Sequence, residues 1–153
     1  MVKINFDNSN AKKVKDENEK EIIYFEESKA LPTRIRYSII NTDHKKIGYI
    51  EKIRNNFGLF DLPQIVISMN DADKIVLKKD IKELKDIYDI TGNGISIIGN
   101  WGGPSFNIFQ KETMLASVEV KKEEIGRTYL VDIIDKSNEE QVICILFALN
   151  WIM

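Results

Sequence analysis

The last twelve residues of the chain, from Val142 to Met153, contain a single polar side chain, that of Asn150. Ser137 and Glu140 precede this run at the spacing of a capping box, which predicts a helix over about residues 138–153. A helix that is apolar on every side must be surrounded. A membrane span needs roughly 20 apolar residues, so we predict that protein surrounds this helix and that the chain is not transmembrane.

Upstream of the helix, apolar and polar residues alternate in short runs that are separated by turns. Residues 34–53, 63–79 and 105–122 each have the pattern of a β-hairpin, because alternate residues of a strand face opposite sides. Gly92-Asn93-Gly94 adds a strong signal for a further hairpin turn. About ten strands at this spacing indicate a mainly β sandwich or barrel. A sheet closed around the helix would cover all its sides and leave no free edges.

The N-terminal segment has a different composition, since residues 8–20 contain almost no apolar side chains. We therefore divide the chain into a polar lead-in over residues 1–20, mobile or looped, and a single barrel domain over residues 21–153. The segment has no apolar core of a signal peptide. Cys144 is the single cysteine, so no intramolecular disulfide can form. These features predict a cytoplasmic protein.

The charge of the chain is distributed unevenly. The net charge is -2 and the isoelectric point is about 5.5, so no global basic field favours nucleic acid as a partner. Residues 1–56 nevertheless carry 12 Lys and Arg against 9 Asp and Glu, a net of +3, whereas residues 57–153 carry 10 against 15. Any surface that binds an anion is therefore expected in the first third of the chain.

Within that third, one register of the first hairpin brings basic residues together on its outer face. If Tyr37 pairs with Tyr49 on the inner face, Arg34 lies opposite Lys52 on the outer face. Like charges in this position are mildly destabilising, so a bound anion would relieve the repulsion. An alternative is a solvated face that Glu51 screens. The predicted weak anion-binding site consists of Arg34, Arg36, Lys52 and Arg54.

No residue pattern indicates catalysis or a metal site. His44 lies in a predicted solvated turn, and Cys144 lies in the apolar helix, where burial makes a thiol inert. Asp71–Asp73 and Glu123–Glu124 lack the spacing of a calcium loop, and the Asn100–Pro104 turn lacks the Lys-Ser/Thr of a phosphate loop. We predict no catalytic residue, metal or cofactor, and a protein that is not an enzyme. Only carboxylates and hydroxyls would be left for acid–base work.

A family resemblance rests on the stretch from Tyr88 to Phe106, on residues 116–122 and 128–133, and on the apolar helix. These segments resemble the LURP-one-related family of the Tubby C-terminal-like superfamily, which has phospholipid scramblases as relatives. The resemblance is best over residues 84–153. It implies a closed antiparallel barrel of about twelve strands around a central C-terminal helix. The aromatic-rich turn of the family is replaced here by Glu123–Gly126, and no position matches a ligand motif.

Two function classes follow. Tubby domains bind phosphoinositide head groups and scramblases act at membranes, so the resemblance implies a non-enzymatic barrel that binds an anionic ligand such as a phospholipid head group. The alternative is a structural or protein-interaction module with no small ligand. The expected partner is therefore an anionic membrane surface or another protein.

Overall fold

The structure is a computed structural model that describes residues 2–6, 12–28, 34–57, 60–124 and 126–153. Over these ranges the chain forms twelve β-strands, a short 3-10 helix (Lys136–Asn138) and one α-helix, α1 (Glu139–Ile152). The strands are β1 (Val2–Asn5), β2 (Lys12–Lys15), β3 (Glu21–Ser28), β4 (Arg34–Asn41), β5 (Lys46–Phe57), β6 (Phe60–Met69), β7 (Ile75–Lys82), β8 (Lys85–Thr91), β9 (Ile95–Gly99), β10 (Ser105–Gln110), β11 (Thr113–Lys122) and β12 (Arg127–Ile133). The three predicted hairpins and the mainly β class are confirmed.

The strands form two antiparallel sheets rather than one. A five-stranded sheet has the order β1-β12-β11-β10-β9, and a seven-stranded sheet has the order β2-β3-β4-β5-β6-β7-β8. The predicted closed barrel is therefore wrong, because β8 and β9 follow one another along the chain but are edges of different sheets. The turn between them has positive φ at three successive residues, Gly92, Asn93 and Gly94. A type I′ hairpin turn needs positive φ at only two residues. Here the turn does not close a hairpin, and the chain continues into the other sheet.

The predicted polar lead-in over residues 1–20 contains two of the strands. Val2 and Ile4 of β1 are buried, and they pair with Val131 and Tyr129 of β12. Val14 of β2 is also buried. Composition did not reveal these strands, because charged residues between the apolar positions dominate it and because the partner strand of β1 lies far along the sequence. The described parts of the segment thus belong to the two sheets.

The C-terminal helix forms at the predicted position but begins differently. Asp135, not Ser137, supplies the cap, since its carboxylate accepts a hydrogen bond of 3.0 Å from the Ser137 backbone N–H. The preceding turn is a 3-10 helix, and Asn138 at the start of α1 makes no side-chain cap. Glu139 and Glu140 lie in the first turn of α1, where the helix dipole favours negative charge.

Helix α1 is buried on every face. The successive residues from Val142 to Leu149, and then Ile152, are each at most 5% exposed. The ring of Phe147 stacks on Phe25 of β3 at a centroid distance of 4.2 Å and meets Phe6, which follows β1, at 5.4 Å. The helix also lies against β6, β7 and β12. It therefore contacts both sheets and supplies much of their shared core.

Charge inside this core should be costly on each face of α1. We expect Ile145→Asp, Phe147→Asp and Leu149→Asp each to lower the free energy of unfolding by about 3–5 kcal/mol, because each buries an unpaired carboxyl group. Thermal unfolding followed by circular dichroism measures the change. Ile134→Asp is the matched control, since Ile134 is 59% exposed. A variant of α1 that melts within about 2 °C of the parent would contradict burial of that face.

Candidate functional site

The predicted register between β4 and β5 is wrong by one residue. Tyr37 lies opposite Ile50, and Arg36 lies opposite Glu51. A slip of one residue exchanges the faces of a strand, so Ile50 points into the core in place of Tyr49. A bulge between Ile39 and Ile40 absorbs the extra residue.

Gly48 explains why the apolar pattern of β5 gave the wrong face. It lies opposite Ile39, and a Cβ at Gly48 would approach the backbone oxygen of Ser68 to 2.1 Å. Only glycine permits this close contact between strands. The inner face of β5 therefore runs through Gly48 and Ile50, which alternation of apolar side chains does not reveal.

The corrected register separates the four predicted anion-binding residues. Arg34 and Arg36 project from the outer face of β4, beside Glu51. Lys52 lies opposite Ile35 and Ile65 and so belongs to the inner face. Arg54, two residues farther along β5, shares that inner-face parity and is exposed. The structure thus brings together Arg34 and Arg36 and does not join Lys52 and Arg54 to them.

Glu51 holds the two arginines on the outer face. Arg36 Nη2 donates a hydrogen bond of 3.0 Å to Glu51 Oε2, and Arg34 Nη1 lies 3.6 Å from Oε1. The Glu51 side chain is only 7% exposed. The Arg36 guanidinium also lies 4.2 Å above the ring of Tyr49, a stacking geometry that orients the group. The chain therefore supplies its own anion to this pair, and the three charged groups leave a net charge of +1.

Lys52 lies at the end of helix α1. Its Nζ lies 3.5 Å from the backbone oxygen of Trp151 and 5.7 Å from the centre of the Trp151 ring. The last turn of α1 has no basic residue of its own, although a cation there stabilises the helix dipole and the unpaired carbonyl groups. Lys52 provides that cation from a neighbouring strand.

The residues weighed for catalysis are not assembled into a site. His44 is exposed in a turn with φ of +59°, where Asn41 Oδ1 accepts hydrogen bonds from the backbone of Asp43 and Lys45. Burial, with a smaller effect from Glu140, raises the pKa of the Cys144 thiol far above its usual range. Among the residues that the structure describes, no group of three His, Cys, Asp or Glu side chains could hold a metal ion.

Sequence reasoning missed a free sheet edge at β8, which pairs only with β7 among the strands of the described residues. The two-residue turn Glu83-Leu84 has φ of +52° and +63°, which defines a type I′ hairpin closed by Lys82 and Lys85. That closing pair is hydrogen-bonded, and hydrogen-bonded pairs alternate along an antiparallel ladder. The backbone N–H and C=O groups that point away from β7 are therefore those of Asp86, Tyr88 and Ile90.

Apolar side chains accompany this edge. Leu84 at the tip of the hairpin is 94% exposed, and Ile87 is 40% exposed. On the inner side, the ring of Tyr88 meets that of Trp101 at a centroid distance of 5.9 Å. Trp101 follows β9, so this contact bridges the two strands that hydrogen bonds do not join. In the sequence, the signal for this edge is the pair of apolar residues Leu84 and Ile87 at and after the turn. The alternation of apolar and polar residues alone predicts a closed barrel, in which β8 has no free edge.

Two antiparallel sheets that share one buried C-terminal helix define a mainly β domain. The chain belongs to the LURP-one-related family, whose family model matches residues 3–150, and which is part of the Tubby C-terminal-like superfamily. The resemblance found in the sequence is confirmed, and the match extends into β1. No curated protein and no solved structure matches the chain significantly. In the part of the chain that the structure describes, no helix is long and apolar enough to cross a membrane.

The ion pairs of Glu51 should contribute to stability. Glu51→Gln removes the carboxylate and leaves two arginines side by side, so we expect the free energy of unfolding to fall by about 1–3 kcal/mol. Chemical denaturation measures the change. Glu26→Gln is the matched control, because Glu26 is exposed on the adjacent strand β3. Equal effects of the two substitutions would show that Glu51 does not hold the arginine pair.

Proposed function

We propose that this member of the LURP-one-related family is a non-catalytic protein-interaction module that accepts an extended partner segment at the free edge of β8. The observation that carries the proposal is the outward direction of the backbone groups of Asp86, Tyr88 and Ile90, derived from the Glu83-Leu84 hairpin. A free edge binds an added strand by main-chain hydrogen bonds, and adjacent side chains give specificity.

The environments of the nucleophile and base candidates support a non-catalytic role. A catalytic His or Cys must lie within reach of a partner and of solvent. Cys144 is fully buried in α1 with a raised thiol pKa, and His44 lies in a solvated turn with Asn41 and Asp43 as neighbours. We also propose that the protein is cytoplasmic, because the reducing conditions there suit a chain whose single cysteine, Cys144, has no partner for an intramolecular disulfide.

Enclosure of α1 between the sheets is the scaffold that we propose for this function. Its support is the burial of α1 on every face and the contact of Phe147 with Phe25 in one sheet and with Phe6, next to β1, beside the other. A fixed core keeps the two sheets, and hence the β8 edge, in one geometry.

Binding of an anionic surface is a second candidate with weaker support. Arg34 and Arg36 remain 47% and 36% exposed at the side chain, and the Nε of Arg36 has no hydrogen-bond partner among the described residues. Two basic residues near an anionic leaflet gain about 1 kcal/mol each. Glu51 already neutralises one of the two charges, so less than this gain is left for a lipid head group.

Selection from a display library of linear peptides against the immobilised full chain tests the interaction module. We expect enriched peptides to slow amide hydrogen exchange at Asp86, Tyr88 and Ile90, because added strand hydrogen bonds protect these groups. Ile87→Asp should weaken binding, and Ile98→Asp, at an exposed position of β9, should not. Protection at another site, or a library that yields no binder, would contradict the proposal.

Co-sedimentation with anionic and neutral vesicles tests the second candidate. We expect no binding that depends on Arg34 and Arg36, even at low salt, where exposed charges act over the longest range. The variant Arg34→Glu/Arg36→Glu is compared with Lys121→Glu/Lys122→Glu, which makes the same change of charge on the other sheet. Binding that only the arginine variant loses would make anionic-surface binding the better function.

A further inference from the structure

On the outer face of β8, Lys85 has no opposite charge directly across its own hairpin. Lys85 lies directly opposite Lys82, and no ion pair involves either lysine among the described residues. Asp89, on the same face, lies opposite Lys78. Like charges opposite one another are destabilising, so a carboxylate placed beside Lys85 from across the free edge would be favourable.

A second copy of β8 offers that carboxylate in one antiparallel register. The groups that face the edge belong to even-numbered residues, so the axis of self-pairing passes through a residue, and only centres at Ile87, Tyr88 and Asp89 pair five or more residues of β8. Centring on Asp86 or Asp89 places two carboxylates opposite each other, and centring on Tyr88 places Ile87 opposite Asp89. Centring on Ile87 pairs the two Ile87 side chains and places each Lys85 opposite Asp89 of the other copy.

We propose that two copies of this chain associate through β8 about a two-fold axis at Ile87. The two seven-stranded sheets then form one continuous sheet. Ile87, which is 40% exposed in the single chain, is covered by its counterpart. Lys85 and Asp89 are four residues apart in one strand, about 13 Å, so they meet only across the axis.

The dimer forms weakly. One pair of short strands buries less than the roughly 1,200–2,000 Å² of a stable interface, so association is reversible and depends on concentration. The inference rests on the proposed function, since both need a free β8 edge. It narrows the partner to a second copy, whereas the peptide selection tests acceptance of a foreign segment.

Sedimentation of the full chain over a range of concentrations tests the register through a charge exchange. We expect the parent to dimerise reversibly at several hundred micromolar, in the range of a small interface. Lys85→Asp should raise the dissociation constant about tenfold, because two Asp pairs replace two ion pairs. It should not lower the melting temperature, since Asp at this position gains Lys82 as an opposite charge.

The reciprocal variant completes the exchange. Asp89→Lys should weaken the dimer as Lys85→Asp does, and Lys85→Asp/Asp89→Lys should restore it, because the ion pair is then reversed across the axis. A parent that is monomeric at about 1 mM overturns the inference. A double variant no tighter than the single ones overturns the register.

Cysteine cross-linking independently tests the position of the two-fold axis of the dimer. Ile87→Cys should form a disulfide-linked dimer on mild oxidation, because the paired residues at the axis are not hydrogen-bonded and their side chains are close. Ile98→Cys, also at an exposed isoleucine, should stay monomeric, and the native Cys144 is buried. Equal cross-linking of the two variants, or none at Ile87→Cys, overturns the proposal.

The outcomes separate this inference from the proposed function. A monomeric parent that still binds selected peptides at Asp86, Tyr88 and Ile90 removes the dimer and leaves the interaction module. Failure of both peptide binding and dimerisation removes the free edge of β8 as a binding surface.

Discussion

The apolar helix α1 is the constraint on which the rest of the structure depends. Nine of its residues are buried, and each large side chain that leaves water contributes roughly 1.5–3 kcal/mol, against a net stability of about 5–15 kcal/mol for a whole domain. No single flat sheet can cover all faces of a helix. Both sheets contact α1, and β1 extends the five-stranded one, because it carries Val2 and Ile4 to β12 at the far end of the sequence.

The same need for burial fixes the electrostatics of β4 and β5. Once Ile50 faces the core, Glu51 must face outward between Arg34 and Arg36, and Lys52 must face inward beside α1. Each charge then acts on its immediate neighbours, since Glu51 neutralises the arginines and Lys52 compensates the C-terminal end of the helix. The register of one strand pair therefore places Arg34 and Arg36 beside Glu51 and Lys52 beside α1.

Much of the fold could be predicted from the sequence, because strands and turns leave local signals. Alternation located the hairpins of residues 34–53 and 63–79, and the run after Val142 located α1. The register of β5 could not be predicted, since Gly48 occupies an inner position without an apolar side chain and a bulge at Ile39 shifts the count. The division into two sheets depends on backbone angles at Gly92–Gly94, which the Asn-Gly pattern alone does not specify.

The uncovered edge of β8 carries a risk of unspecific pairing, which the charges of the strand reduce. An uncovered edge pairs indiscriminately unless charge restricts it. Asp86 lies on the inner face with its carboxylate 3.6 Å from Lys79, and pairing centred on Asp86 or on Asp89 would bring two carboxylates together. These two residues disfavour two of the other registers, and Lys85 with Asp89 favours the register centred on Ile87. The charges of β8 therefore make association selective. They leave the backbone groups of the edge free to pair, but they allow few registers of pairing.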